Sequence, residues 1–350
     1  MPLETEIKAE ALKLGFVVCG ITHPARPDTY DDYRDWIAEG RQAGLDYLAR
    51  PASLSAREDP VSLLPGCRSI LCVGLPYPAP TQAAHCASSG RGTIAAYALL
   101  PDYHTVMSAK LKQLGARLSE LAGRALSFRA CVDSAPILEK DFARQAGLGW
   151  IGRNSLLNAP GSGSYLFLGE LLTDQELAPD AALPGDPCQN CRLCVDACPT
   201  HALLPNRSVD ARRCLSYHTI ENRGRIPPEL RPMMGERVFG CDTCQIICPL
   251  NQSLTAAANT APLIAAQPGL LEDFSLSEAA WKAKYQRTPV LRIGFAGYRR
   301  NLAIAMANQR SDGAVQALQA ALEEDLPADL RETFLWALAR LNAPDVQSEV

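Results

Sequence analysis

No stretch of the chain approaches the roughly 18 consecutive apolar residues that a membrane-spanning helix needs, so a soluble protein is expected. The opening residues, Met1-Pro2-Leu3-Glu4-Thr5-Glu6-Ile7-Lys8, lack the basic start and apolar run of a secretory leader. No twin-arginine signal stands there either, which sets the expectation of a cytoplasmic protein. Strong net charge is also missing: the formal total is -4 at pH 7, so any surface for a polyanion has to be local. With 47% hydrophobic and 21% charged residues, the composition argues against disorder, collagen or a coiled coil. What the chain does carry is 13 cysteines in 350 residues. Disulfides are reduced in the cytosol, so closely spaced thiols there read first as metal ligands or redox groups.

The length predicts two or three domains. Leu3, Ile7, Ala11 and Leu14 share one helical face, and residues 15–21 then read as a short buried strand. Residues 69–75 are a second buried strand, stopped by Pro76-Tyr77-Pro78-Ala79-Pro80. Val106, Leu111, Leu114 and Leu118 give residues 103–121 a helical spacing that ends at Gly123. Residues 125–132 and 164–172 are strand-like, and residues 137–146 are helical with Gly147 as the cap. This order predicts an α/β or α+β domain over residues 1–180. Pro184-Gly185-Asp186-Pro187 then opens a cysteine-rich module, residues 181–255. In residues 256–350, the stretches 314–322 and 330–341 look like paired short helices of a solenoid, about two repeats that would have to dock on the rest.

Cys188, Cys191, Cys194 and Cys198, followed by Pro199, spell C-x2-C-x2-C-x3-C-P, the bacterial ferredoxin run. In that run three thiolates wrap one cubane from a tight loop, and the fourth points at a second cluster. Cys241, Cys244 and Cys248 before Pro249 repeat the pattern one thiolate short, and Cys214 supplies the missing one. Crossed ligation assigns Cys188, Cys191, Cys194 and Cys248 to one 4Fe-4S cluster, and Cys198, Cys214, Cys241 and Cys244 to the other. Structural zinc and scattered thiols are the alternatives, but zinc prefers paired CxxC units and does not ask for two C-P endings. Cys19, Cys67, Cys72, Cys86 and Cys131 are not in ligand spacing and read as small buried hydrophobes.

A ferredoxin module carries electrons without doing organic chemistry, so a reaction centre is sought upstream. Val132-Asp133-Ser134-Ala135-Pro136-Ile137-Leu138-Glu139-Lys140 places an acid between an apolar strand and a helix. Strand ends are where open α/β sheets bind ligands, and an aspartate held against apolar neighbours can keep its proton. A plain helix N-cap explains the same position. Gly147-Leu148-Gly149-Trp150-Ile151-Gly152 matches GxGxxG in name, but it follows a helix, which counts against a nucleotide site.

Taken with residues 146–154, Phe167-Leu168-Gly169-Glu170, Arg57-Glu58-Asp59-Pro60, Tyr97, Asp102-Tyr103-His104, both cysteine runs and residues 210–217, this segment resembles the epoxyqueuosine reductase family. The resemblance extends over nearly the whole chain. It implies an α+β multidomain protein with an N-terminal α/β cobalamin-binding domain of reductive-dehalogenase type, a ferredoxin-like module with two 4Fe-4S clusters, and C-terminal HEAT-like repeats. It implies reduction of epoxyqueuosine in the tRNA anticodon loop, with Asp133 as proton donor and corrin contacts at Arg57, Tyr97, Asp133, Ser155, Ser216 and Asp242. An external electron donor such as a flavodoxin or ferredoxin follows from the same resemblance, and a monomer is expected. Asp102-Tyr103-His104-Thr105-Val106-Met107 departs from the cobalt-ligating D-x-H-x-x-G by Met107, so His104 reads as a helix-start or pocket residue, not a cobalt ligand.

Between Glu278 and Asp312 there is no acid, while Lys282, Lys284, Arg287, Arg292, Arg299, Arg300 and Arg310 alternate with Trp281, Tyr285, Phe295 and Tyr298. Such a face can neutralise phosphates and stack on unpaired bases, and Arg223 belongs to a second basic group between the cysteine runs that could extend it. The same stretch is equally readable as a solvated helical face with its aromatics in the core. Two other functions share parts of this pattern: a cobalamin-dependent dehalogenase acting on a small molecule, and an iron-sulfur carrier with no substrate. A missing export leader and the basic helical tail weigh against the first, and the large N-terminal domain against the second.

Overall fold

Residues 70–73 alternate between two apolar layers, and this alternation organises the first part of the fold. In the computed structural model, which describes residues 1–79, 89–252 and 263–344, Leu71 and Val73 face one layer and Ile70 and Cys72 the other. Cys86 and the expected boundary near residue 255 lie outside the described residues. The chain divides into a unit of residues 1–79, 102–212 and 243–261 and a unit of residues 80–101, 213–242 and 262–350.

The first unit is built on a four-stranded sheet in the order Val18–Thr22, Ser69–Pro76, Leu166–Thr173, Phe128–Cys131. Every neighbouring pair is antiparallel. The α/β expectation is thereby corrected to α+β. A strand buried on both faces reads as one apolar run whichever way its neighbours point, so the sequence carries no signal for direction.

Over one face lie the helices Leu3–Lys13 and Tyr103–Leu121, whose Ile7, Ala11, Leu111, Leu114 and Leu118 are fully buried against Leu71, Val73 and Leu171. At about 1.5–3 kcal/mol for each large side chain removed from water, this layer is a main source of the unit's stability. Over the other face, Phe142, Ala143 and Ala146 from and just beyond the helix Glu139–Gln145 pack on Ile70, Cys72, Cys131 and Leu172. Gly20 permits that approach: a Cβ there would stand 2.0 Å from the Ala146 carbonyl oxygen. Cys67, Cys72 and Cys131 are buried as expected, whereas Cys19 is half-buried. Burial pushes the Cys131 thiol up to about 12, which leaves it protonated and unreactive.

In the second unit the helix Gly294–Gln309 is the hub, buried continuously from Tyr298 to Ala307. The helices Leu270–Phe274, Glu278–Lys284, Ala314–Leu322 and Ala328–Asn342 contribute to the same core. Asp273, fully buried, accepts hydrogen bonds from the Tyr285 hydroxyl at 2.6 Å and the Tyr298 hydroxyl at 2.7 Å. Trp281, Tyr285 and Tyr298 are therefore core residues, which leaves none of these rings to stack on a base. Among the described residues no helix is long and apolar enough to cross a membrane.

Candidate active site and cluster ligands

Asp102 ends its loop by capping the helix Tyr103–Leu121, its side chain accepting from the His104 amide at 3.0 Å. Such a cap fixes the first turn, and with it the directions of Tyr103 and His104. Both reach the loop that follows the strand Phe128–Cys131. The Tyr103 hydroxyl donates to Asp133 Oδ2 at 2.8 Å, and His104 Nε2 lies 3.1 Å from the same oxygen. His104 Nδ1 lies 2.8 Å from Asp102 Oδ1, so both ring nitrogens face carboxylates. Asp133, and after it Asp102, raises the His104 pKa above its usual range against an opposing effect of burial. Two flanking carboxylates favour the imidazolium, which makes this histidine a proton store beside Asp133.

Two expectations for Asp133 are corrected here. Its side chain is 45% exposed, so its surroundings are Tyr103 and His104, not an apolar pocket. Nor is it the helix cap, because the next helix starts only at Glu139, after Leu138. Asp133 instead adopts φ = +38°, a left-handed conformation that costs a non-glycine residue about 1–3 kcal/mol. The pKa of Glu139, the first residue of that helix, is pushed up to about 7, by burial first and by the Asp133 charge second. The adjacent Lys140 donates to the Ser155 carbonyl at 2.8 Å.

Sequence reasoning gave Tyr103 and Glu139 no role of their own, and Glu170 only a place in a motif. Glu170 is fully buried in the strand Leu166–Thr173, opposite Cys72 and Cys131 in register, and neither carboxylate oxygen has a hydrogen-bond partner. The signal that was available is periodicity: Glu170 interrupts a run whose neighbours Gly169, Leu171 and Leu172 are all buried.

Arg57 and Ser155, expected to touch the corrin, belong to this unit. Arg57 is buried, and among the described residues its one hydrogen bond goes to the Ser53 carbonyl at 3.3 Å. A guanidinium has five N–H donors, so most of this buried group is left for another acceptor. Ser155 stands at φ = +62° in a loop where the buried Trp150 Nε1, Arg153 Nε and Asn158 Oδ1 lack partners. Buried polar atoms are rarely left unpaired, and these three are what the polar edge of a bound cofactor would satisfy.

The cysteines also fit their group. Cys194 is raised to about 11, first by burial and then by the neighbouring Cys188, Cys248 and Cys191 thiols. Cys248, more than 50 residues further along the chain, is in turn raised by burial and by Cys188 and Cys191. These four are the set that crossed ligation assigns to one cluster, and Cys191 is the exposed member. Of the second set, Cys198 accepts from the Ala202 amide at 3.3 Å, and Cys214 is the residue before the helix Leu215–Ile220.

In the second unit, Asp242 Oδ2 accepts from the Ala96 amide at 2.8 Å beside Tyr97, and burial pushes the Asp242 carboxyl up to about 6. Ser216 lies in the first turn of the helix Leu215–Ile220. The basic set divides. Arg223, Lys282, Lys284, Arg287 and Arg292 are exposed. Arg299 and Arg300 are not, and their place in a tRNA surface is corrected. Arg299 forms two hydrogen bonds with Glu324, at 2.7 and 2.9 Å, and lies over Phe274 and Phe334. Arg300, 3% exposed, donates to the carbonyls of His218, Asn222 and Gly224. A guanidinium so occupied has no donors to offer a phosphate.

Residues 187–251 match the family model for a 4Fe-4S double cluster binding domain, and residues 57–134 match that described as epoxyqueuosine reductase QueG, DUF1730. A crystal structure of epoxyqueuosine reductase with an epoxyqueuosine-modified tRNA stem loop superposes with a TM-score of 0.89 at 28% identity, covering 97% of this chain and 90% of that one. The Bacillus subtilis epoxyqueuosine reductase, solved with an aspartate-bearing catalytic loop swung out of the active site, superposes with a TM-score of 0.87 at 28% identity, covering 98% and 91%. An epoxyqueuosine reductase of Pseudomonas aeruginosa is 39% identical over 345 residues, 97% of this chain and 94% of its own. The chain therefore belongs to the epoxyqueuosine reductase family: it is an oxidoreductase acting on the anticodon loop of tRNA, with two 4Fe-4S clusters and cobalamin as cofactors.

Proposed function

We propose that Asp133 is the residue that protonates the epoxide oxygen of epoxyqueuosine, and that His104 returns a proton to it. Converting an epoxide to an alkene and water consumes two electrons and two protons, and an alkoxide leaves poorly unless it is protonated as the C–O bond breaks. When bound, the clusters relay single electrons and cobalamin delivers them to the substrate. The chain's own part is the proton. Asp133 carries it at Oδ2, Tyr103 fixes the direction of that oxygen, and His104, held between Asp102 and Asp133, resupplies it from solvent. The observation that carries this reading is the pair of contacts to Asp133 Oδ2, from Tyr103 at 2.8 Å and His104 at 3.1 Å. With both ring nitrogens beside carboxylates, His104 would serve the proton and not hold a metal.

The remaining assignments belong to the same reading. Cluster one takes Cys188, Cys191, Cys194 and Cys248, and cluster two takes Cys198, Cys214, Cys241 and Cys244 by their spacing. Arg57 and Ser155 hold the corrin, as do Tyr97, Ser216 and Asp242 on the strength of the resemblance. Exposed Arg223, Lys282, Lys284, Arg287 and Arg292 contact tRNA phosphates. Along the chain, residues 1–180 are the cobalamin-binding catalytic domain, 181–255 the ferredoxin-like domain and 256–350 HEAT-like tRNA-binding repeats. The protein works as a cytoplasmic monomer fed by a flavodoxin or ferredoxin.

The test is the Asp133→Asn holoenzyme, matched to wild type in corrin, iron and sulfide. Mass analysis of nucleosides from treated tRNA is expected to find no queuosine. Retained conversion removes Asp133 as the donor.

A further inference from the structure

Arg207 stands at the tip of a short hairpin just past Cys198. The Leu204 N–H donates to the Ser208 carbonyl at 2.9 Å, the Arg207 N–H donates to the Leu204 carbonyl at 3.0 Å, and Arg207 itself adopts φ = +61°. From that tip the guanidinium reaches two other segments of the same unit. One N–H donates to the Ile151 carbonyl at 2.7 Å, and another donates to Oδ2 of Asp186. The second oxygen of Asp186 accepts the Cys188 N–H at 3.1 Å. We propose that Arg207 is a positioning residue for cluster one: it ties the loop that opens that cluster's ligand run to the loop of residues 150–155, and by neutralising Asp186 it keeps the cluster easier to reduce. The inference rests on Cys188, Cys191, Cys194 and Cys248 binding that cluster, and it adds a residue that ligates no iron.

Three observations carry it. The tie is doubled, because Arg153, from the loop of residues 150–155, donates to the Gln189 carbonyl at 2.7 Å. Gln189 follows the first ligand at φ = +36°, a left-handed conformation that a non-glycine residue keeps only where its surroundings hold it. The third observation concerns charge. The Arg207 and Asp186 side chains are 29% and 42% exposed, and an ion pair so open to water contributes little to stability. What it changes is the charge beside a ligand. Hydrogen-bonded to the backbone of Cys188, the Asp186 carboxylate lies well inside the roughly 8 Å over which charges act on one another at physiological salt. A bare carboxylate there opposes the arrival of an electron, and one paired with a guanidinium does not. Local charge and hydrogen bonding are among the factors that set the potential of an iron-sulfur cluster.

The experiment is a redox titration of the holoenzyme followed by electron paramagnetic resonance, with iron and sulfide matched to wild type. In Arg207→Gln one of the two midpoint potentials is expected to fall, disfavouring reduction of that cluster about 10-fold, which is about 59 mV for one electron, while the other potential stays. Arg207→Lys keeps the charge and is expected to keep the wild-type potential. Asp186→Asn retains an oxygen for the Cys188 N–H but removes the negative charge. Added to Arg207→Gln, it is expected to restore the potential, which it could not do if the arginine merely held the loop in shape. Alone, Asp186→Asn leaves Arg207 unpaired and is expected to raise the same potential, so the comparison stands even if Arg207→Gln loses its iron. Unchanged potentials in Arg207→Gln, an equal fall in Arg207→Lys, a fall that Asp186→Asn fails to reverse, or no rise in Asp186→Asn alone overturns the proposal. Two intact clusters in Cys191→Ala would instead overturn the ligand assignment, an outcome read from iron content and not from potentials.

Discussion

The Tyr103 hydroxyl donates to Asp133 Oδ2 over 2.8 Å, from a ring stacked on Phe167 at 4.5 Å between centroids and 3° between planes. Ring stacking removes the freedom that a phenol would otherwise spend in water, so the hydroxyl is aimed before substrate arrives. Tyr103→Phe keeps the stack and deletes the bond. Single-turnover reduction is expected to slow by about 10-fold, equivalent to about 1.4 kcal/mol, with the tRNA dissociation constant unchanged. An equal loss in affinity would assign Tyr103 to substrate binding.

The arginines of the basic stretch separate by what already occupies them. Arg300 serves three backbone carbonyls from a buried position, and although burial lowers its pKa to about 10 it remains charged at neutral pH. Arg300→Met is expected to destabilise the protein by about 3 kcal/mol in urea unfolding, because those carbonyls lose their donors. Arg287→Glu and Lys282→Glu, on exposed positions, should leave stability unchanged. Each should weaken tRNA binding and reduce the slope of log affinity against log salt by about 1.

Much of this division was hidden from the sequence. The helix expected over residues 103–121 is Tyr103–Leu121, and the strand expected over residues 69–75 is Ser69–Pro76, because periodic apolar spacing reports burial directly. The grouping of Cys194 with Cys188, Cys191 and Cys248 was legible for a similar reason, as ligand spacing is covalent geometry written along the chain. What spacing does not contain is the partner across space. An acid-free interval cannot reveal that Glu324 waits for Arg299, nor can the neighbours of Asp133 in sequence reveal Tyr103 and His104, about thirty residues away. Strand direction was lost because a run buried on both faces looks the same in either orientation.

Glu170 leads to a pH-dependent stability. Burial, reinforced by Glu139, raises its pKa well above the usual carboxylate value. The folded state therefore holds a proton that the unfolded state releases. The associated stability is complete below the ordinary glutamate pKa and is lost as pH rises toward the raised value, at up to about 1.4 kcal/mol per pH unit. Thermal melts of wild type and Glu170→Gln between pH 5 and pH 8 should show the steeper decline in wild type. Parallel curves would mean that Glu170 finds a partner in solution.

The most direct measurement of the account is the pH dependence of single-turnover reduction in wild type and Asp102→Asn. Asparagine still caps the helix at Tyr103 but removes one of the two carboxylates that raise His104. A raised histidine stays protonated above its usual range, so the wild-type rate should fall only as pH climbs through that raised value. In Asp102→Asn the alkaline fall is expected at lower pH, with the plateau rate retained. Superimposable profiles, with the fall at the same pH in both proteins, would contradict the claim that His104 resupplies the proton that Asp133 delivers.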